Sequence, residues 1–236
     1  SVHNLAVAYD TAGKLDLALP LFEETLKLTK AKLGPDHSDT LISMQNLASA
    51  YQKAGKLDLA LPLSEETLKL LKAKFGPHHP DTLRSVHYLA VAYDTAGKLD
   101  LALPLYEETL KLTKAKLGPD HPDTLQCMNS LAVAYAYAGK LDLALPLSEE
   151  TLKLQKAKLG PDHPDTLRSM ASLAVVYPQA AKLAPTLPLS EETPKLQTAK
   201  LGPDHPSTPN NMNNLAAGTR TPGHTDPAPP RSAHAL

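Results

Sequence analysis

Tryptophan is missing from this chain of 236 residues, aromatic side chains of every kind amount to 4%, and cysteine occurs once. A core so short of rings has to be built from small and aliphatic side chains packed at close range, which favours stacked helices. The lone Cys127 excludes an intramolecular disulfide and fits a reducing, cytoplasmic setting. No apolar run reaches the length of a membrane span or forms a secretory core segment, so no membrane partner is expected. An excess of positive charge is lacking too. Lys and Arg number 24 against 25 Asp and Glu, a net charge of -1, and base-stacking aromatics are scarce, so nucleic acid is not an expected partner. The 11 glycines fall mainly at helix ends and form no phosphate-cradling loop, which leaves no cofactor and no small-molecule substrate in view.

What the chain has in abundance is Leu, Ala and repetition. Units beginning at Ser1, Ser43, Ser85, Cys127, Ser169 and Asn211 follow one another with a period of 42 residues and no insertion. The units starting at Ser1 and Ser85 differ only at Asn4/Tyr88, Phe22/Tyr106, Ser38/Pro122 and Ile42/Gln126. A fixed period in this range is the signature of a solenoid or array.

Each unit carries two helical patterns. In the first, Val2, Leu5, Ala6 and Tyr9 recur at helical spacing and stop at Gly13-Lys14, where glycine can turn the chain with positive φ. In the second, Leu17, Ala18, Leu21, Phe22, Thr25 and Leu28 line one stripe. Lys27, Lys30 and Lys32 follow where the helix dipole favours cations. Asp16 is the expected cap of this second helix, which puts Pro20 about one turn inside it. Between units runs "LGPDHPDTL". Gly118 stands where a left-handed residue ends a helix, Pro119 prevents continuation, and Pro122 with Asp123 suits the first turn of the next helix.

The same loop is the one place that looks like chemistry, because it sets an imidazole between carboxylates. His37, His79, His121, His163 and His205 occur once per unit, however, and packed helices lie roughly 8 to 10 Å apart, too far for these rings to share an ion. No metal ligands are therefore assigned. Cys127 replaces a Ser at the start of a helix of the same plan, so it reads as a small packing residue and not a nucleophile. Glu65 and Glu66 diverge around their helix, with Lys69 four residues beyond Glu65, and read as a solvated ion-paired face. No catalytic residues are assigned.

The stretches "NLAVAYDTAGKLDLAL", "NLASAYQKAGKLDLAL" and "LGPDHPDTL" resemble the tetratricopeptide repeat family in its 42-residue form, as in kinesin light chains and nephrocystin-like proteins. Leu5, Ala6, Tyr9, Gly13 and Ala18 stand at the family's signature positions. The resemblance implies an all-α, right-handed superhelical solenoid of antiparallel helix pairs. It also implies a non-enzymatic interaction scaffold whose first helices line a concave groove for an extended peptide. The alternatives are an accessory repeat array of a larger multidomain signalling protein and, from another class, a metal-dependent hydrolase using the Asp-His loops.

Carried over by position, the groove residues are His3, Asn4, Val7 and Thr11, then Gln45, Asn46, Ser49 and Lys53. Arg84, His87, Tyr88 and Val91 follow, and then Gln126, Asn129, Ser130, Val133 and Tyr137. Asn at the positions of Asn4 and Asn46 is implied to hold a ligand's backbone. Tyr88 and Ser130 depart from it, so the kinesin light chain preference for acidic, Trp-containing peptides is not carried over. Tyr88 and Tyr137 either pack against the neighbouring first helix or anchor a peptide side chain.

Residues 1–168 are expected to hold four such units, with 169–210 a degenerate fifth. There Pro178 follows the first-helix Tyr, Ala181 replaces the turn Gly and Pro194 replaces a mid-helix Leu, so its helices are expected to break. Residues 211–236 are expected to form a partial helix and a disordered Pro-rich tail, and the start at Ser1 reads as an excerpt of a longer array.

Overall fold

The computed structural model describes residues 2–179 together with Thr193, Lys195, Leu196 and Thr198. Nine helices and no strand occur among the described residues. They are α1 (Val2–Thr11), α2 (Leu15–Leu33), α3 (Ser38–Lys53), α4 (Leu57–Phe75), α5 (Pro80–Thr95), α6 (Leu99–Leu117), α7 (Pro122–Tyr137), α8 (Leu141–Leu159) and α9 (Pro164–Gln179). Short first helices alternate with 19-residue second helices in a solenoid of antiparallel pairs. The chain divides within α6 into two compact bodies, one ending at Leu112 and the other beginning at Thr113.

Two kinds of glycine turn join the helices. Within a pair, Gly13 takes φ 71°, its N–H bonds to Asp10 O at 3.0 Å, and Lys14 N–H reaches back to Tyr9 O at 2.9 Å. This pair of bonds satisfies the carbonyls that a helix end leaves open. The turn is so tight that α2 starts at Leu15, with Lys14 as its cap and no side-chain cap bond. Asp16 therefore lies in the first turn of α2 and is not the cap expected from sequence. Pro20 falls correspondingly deeper, yet α2 continues through it to Leu33, and α4, α6 and α8 do the same at Pro62, Pro104 and Pro146. A proline at this depth removes one early backbone bond and leaves the rest of the ladder intact.

Between pairs the glycine differs from the left-handed helical residue expected. Gly34 has φ 94° and ψ 165°, Gly76 φ 84° and ψ 168°, and Gly118 φ 96°. The following proline disfavours helical ψ in the residue before it, and only glycine reaches an extended ψ at positive φ. Thr40, wholly buried in the first turn of α3, then ties the loop by donating its hydroxyl to Gly34 O at 2.8 Å, as Thr166 does to Gly160 O.

In the first body, Ala6 on α1 and Ala18 on α2 are both 0% exposed. They join Leu19, Phe22, Leu47 and Ala50 in one apolar cluster spanning α1, α2 and α3. Leu41, Met44 and Leu71 continue the core between α3 and α4, and Leu68, Val86 and Leu89 between α4 and α5. In the second body Ala144, Leu145, Leu152, Leu167, Met170 and Leu173 fill the space between α8 and α9. Small side chains at the crossings let the helices approach closely, as a ring-poor composition requires.

The fifth unit corrects one expectation. Its first helix does not break at Pro178, because α9 runs to Gln179 over the same 16 residues as α3, α5 and α7. Burial of Leu173, Val176 and Tyr177 just ahead of the proline holds that last turn in place. Around Pro194, Thr193, Lys195, Leu196 and Thr198 are helical, Thr193 is buried and Leu196 packs on the α7–α9 core. The readings at Ala181 and for 211–236 lie outside the described residues.

Candidate functional site

The repeated histidines turn out to be helix caps. His37, His79, His121 and His163 each precede a first helix, and Nδ1 of each accepts the backbone N–H two residues on, at 3.2 Å. The adjacent carboxylate of Asp39, Asp81 or Asp165 lies 3.6 to 3.9 Å from the same ring nitrogen. One Asp of the loop is used structurally as well, since Lys158 on α8 donates to Asp120 at 2.8 Å. That contact holds the Asp120 carboxyl below the usual carboxylate range. No group of three metal-ligating side chains converges among the described residues. Sequence reading found the loop's punctuating role but missed the capping nitrogen. The signal was there in the fixed place of His one residue before the first helical position.

Cys127 is buried in α7, and desolvation pushes its thiol up to about 12, with Asp123 adding to the rise and a hydrogen bond from Thr113 opposing it. A thiol so held is neither exposed nor ionised at neutral pH. Glu65 makes no i, i+4 pair with Lys69 among the described residues. It accepts from Tyr93 OH at 2.7 Å instead, and Glu66 meets Lys30 of the preceding second helix at 4.0 Å. The same Tyr-to-Glu bond joins Tyr51 to Glu23 at 2.8 Å and Tyr177 to Glu149 at 3.1 Å. Burial first, and the bond to Glu23 second, raise the Tyr51 hydroxyl to about 12. These carboxylates hold successive pairs together, a role that adjacent-residue reasoning could not see.

The face presented by the first helices is built differently. On α1, Asn4, Val7 and Thr11 are exposed, with Thr11 Oγ1 donating to Val7 O at 2.8 Å, while His3 is half-buried edge-on to the Phe22 ring. On α3, Gln45, Asn46, Ser49 and Lys53 are all half-buried, and Lys53 Nζ reaches back to Asp10 of α1 at 2.6 Å. On α5, Arg84, Tyr88 and Val91 are half-buried, with Arg84 paired to Asp81 one turn earlier. His87 is the exception. It is 3% exposed, turned inward against the Tyr106 ring at 5.7 Å, and burial lowers its imidazole to about 4. Its side chain therefore packs the core and does not line the face, because Tyr106 on α6 draws it into the space between helices.

In the second body, Gln126, Asn129, Ser130 and Val133 are half-buried on α7, and Tyr137 is 54% exposed at the end of that helix. Asn129 Oδ1 accepts from Ser169 of α9 at 3.0 Å. In the first body Gln45, Ser49 and Tyr88 come together with Gln52, Ser64 and Thr67 around a small cleft between α3, α4 and α5. No helix among the described residues is long and apolar enough to cross a membrane.

Comparisons agree with this architecture. The tetratricopeptide repeat family model matches residues 1–73, 46–115, 96–157 and 131–185. Among solved structures, the chain is similar to a kinesin light chain-like protein of Podosopora anserina with nearly identical TPR-like repeats. The identity is 30%, the TM-score is 0.64, and the match covers 84% of this chain and 94% of that one. BtubC (BKLC) from P. vanneervenii shares the fold at 21% identity and TM-score 0.66, covering 85% of this chain and 80% of that one. A Rap protein complexed with Competence and Sporulation Factor shares it at 8% identity and TM-score 0.73, covering 92% of this chain and 61% of that one. A search of curated protein sequences finds no match.

Proposed function

Because the chain belongs to the tetratricopeptide repeat family, we propose that it is a non-enzymatic interaction scaffold that binds an extended peptide along its first helices, as a kinesin light chain-like protein of the cytoplasm. The observation that carries this reading is the row of half-buried polar side chains on α3 and α5. Gln45, Asn46, Ser49, Arg84 and Tyr88 are partly desolvated on one side and open on the other, which is the setting in which a peptide's backbone and side chains gain most from new hydrogen bonds. Asn46 supplies an amide able to pair with a peptide unit, and Tyr88 a rigid amphipathic ring. By contrast the Asp-His loops, the other polar clusters, are already engaged in capping and ion pairing.

The test presents the full chain with a positional-scanning library of biotinylated, C-terminally amidated octapeptides. Asn46→Ala and Tyr88→Ala should each weaken the enriched peptides by about ten-fold or more, with helical content by circular dichroism unchanged. His121→Asn and His163→Asn should stay within about three-fold of the parent, since those rings belong to helix caps. Loss of binding in the loop variants with none in the face variants would place the binding surface on the other side of the molecule.

A further inference from the structure

The second helices carry, at one repeated position, Phe22, Ser64, Tyr106 and Ser148, so a ring alternates with a hydroxymethyl group. Phe22 is 2% exposed and Tyr106 0%, so each ring fills the space beneath the first helices. Opposite them stand histidines, His3 with ring centroids 6.4 Å from Phe22 and His87 with its centroid 5.7 Å from Tyr106. In the second repeat both partners change together. Ser64 replaces the ring, Gln45 replaces the histidine, and the cleft opens there, wide enough for one water-sized group. The fourth repeat also has a serine, but Asn129 is shorter than Gln45 and its carbonyl oxygen is taken by Ser169.

We infer that this cleft beneath Tyr88 is a subsite of the peptide-binding face, and that it seats the terminal acceptor oxygen of a short neutral side chain, Ser, Thr or Asn, whose remaining atoms stay at the cleft mouth. The inference rests on the peptide-binding reading above and adds to it what one peptide position must carry. Gln45 Nε2 is buried and has no hydrogen-bond partner, so a donor stands ready in the lining. Two of its neighbours are committed elsewhere. Thr67 Oγ1 donates to Leu63 O at 2.6 Å and Gln52 Nε2 to Thr95 Oγ1 at 2.8 Å. An entering oxygen completes the unmade bond, whereas an apolar group leaves it unmade. A carboxylate would lose its hydration to a lining of neutral groups, and the cations on the same face, Lys53 and Arg84, are already paired with Asp10 and Asp81.

The repeats themselves supply the fold-competent variants. Ser64→Tyr fills the cleft, and Gln45→His combined with Ser64→Tyr rebuilds the His87–Tyr106 pair that the third repeat already accommodates. With the same octapeptide library, the parent should enrich Ser, Thr or Asn over Ala and Asp at one position by about five-fold or more. Both cleft variants should lose that preference, at unchanged helical content and an equal or higher melting temperature. Asn46→Ala should weaken all enriched peptides without altering the preference. If the cleft variants retain both preference and affinity while Asn46→Ala and Tyr88→Ala weaken binding, or if Asp is preferred, the cleft inference falls and the binding face stands. A hydration site only, with no preference at any position, overturns it likewise. Absence of any enriched peptide overturns the binding face itself.

Discussion

Leu5 on α1 and Leu47 on α3 occupy the same position of the repeat, yet Leu5 is 48% exposed and Leu47 is 4% exposed. The residues around them follow the same repeat pattern, NLAVAY against NLASAY, although α1 has 10 residues and α3 has 16. Among the described residues α3 also has more neighbours, lying between α2 and α4, whereas α1 packs on α2. In a solenoid the stabilisation of a unit thus comes from the interfaces it makes more than from its own sequence. Two identical substitutions in two copies of one repeat are then expected to have unlike effects.

The widest gap should be between Leu89→Ala and Leu5→Ala. Leu89 is buried between α4 and α5, so removing it should cost about 2 to 5 kcal/mol in denaturant unfolding, against less than about 1 kcal/mol at half-exposed Leu5. Equal losses would mean that the interfaces do not carry the stability. Next comes His87, buried where its counterpart His3 is half-buried. Its folded pKa lies near 4, below the ordinary 6.5, so its neutral form is favoured in the folded state. That stability is fully present above pH 6.5 and is lost as pH falls toward 4, because the unfolded chain takes up the proton first. The loss is on the order of 3 kcal/mol at the acid end. Unfolding curves of the parent and His87→Gln, compared between pH 7 and pH 4, should converge as the pH drops. Parallel curves would sink the assignment.

A smaller effect is expected at the caps. His121→Ala removes the acceptor for Asp123 N–H and should cost about 1 kcal/mol, and Asn at the same place should recover most of it. The smallest change in stability, none, goes with the largest contrast in reactivity. Cys127 in the native protein should resist iodoacetamide at pH 8 and react fully once unfolded, as mass spectrometry would show. Rapid native alkylation would place the thiol outside the core.

How much of this could be read beforehand depends on the range of the physics involved. The period, the helix pairs and the glycine stops were legible because Gly13, Gly118, Pro119 and Pro122 act on their own φ and ψ. The depth of Pro20 was misread because the cap lies at Lys14, set by the backbone bonds of a turn and not by the tempting carboxylate of Asp16. At Pro178 a local penalty was set against tertiary burial, and burial won. His87 shares its position in the repeat with His3 and Gln45, and nothing in its own helix says that it turns inward. That follows from Tyr106, which is 19 residues further along and on another helix. The exchange of Phe22 and Tyr106 for Ser64 was visible in the alignment of units, but its consequence required knowing what the ring filled.

The side-chain bonds that tie one pair to the next have a bearing on how the chain finds its structure. Tyr51 to Glu23 spans 28 residues, Lys158 to Asp120 spans 38, Ser169 to Asn129 spans 40, and Lys53 to Asp10 spans 43. None reaches beyond the adjoining unit. Lengthening such an array by another copy therefore adds contacts of the same short separation, and the mean loop that must close during folding stays constant while its share of the total length falls. Duplication can extend this molecule without slowing the search of any one part of it, which gives near-identical units a kinetic reason to be tolerated.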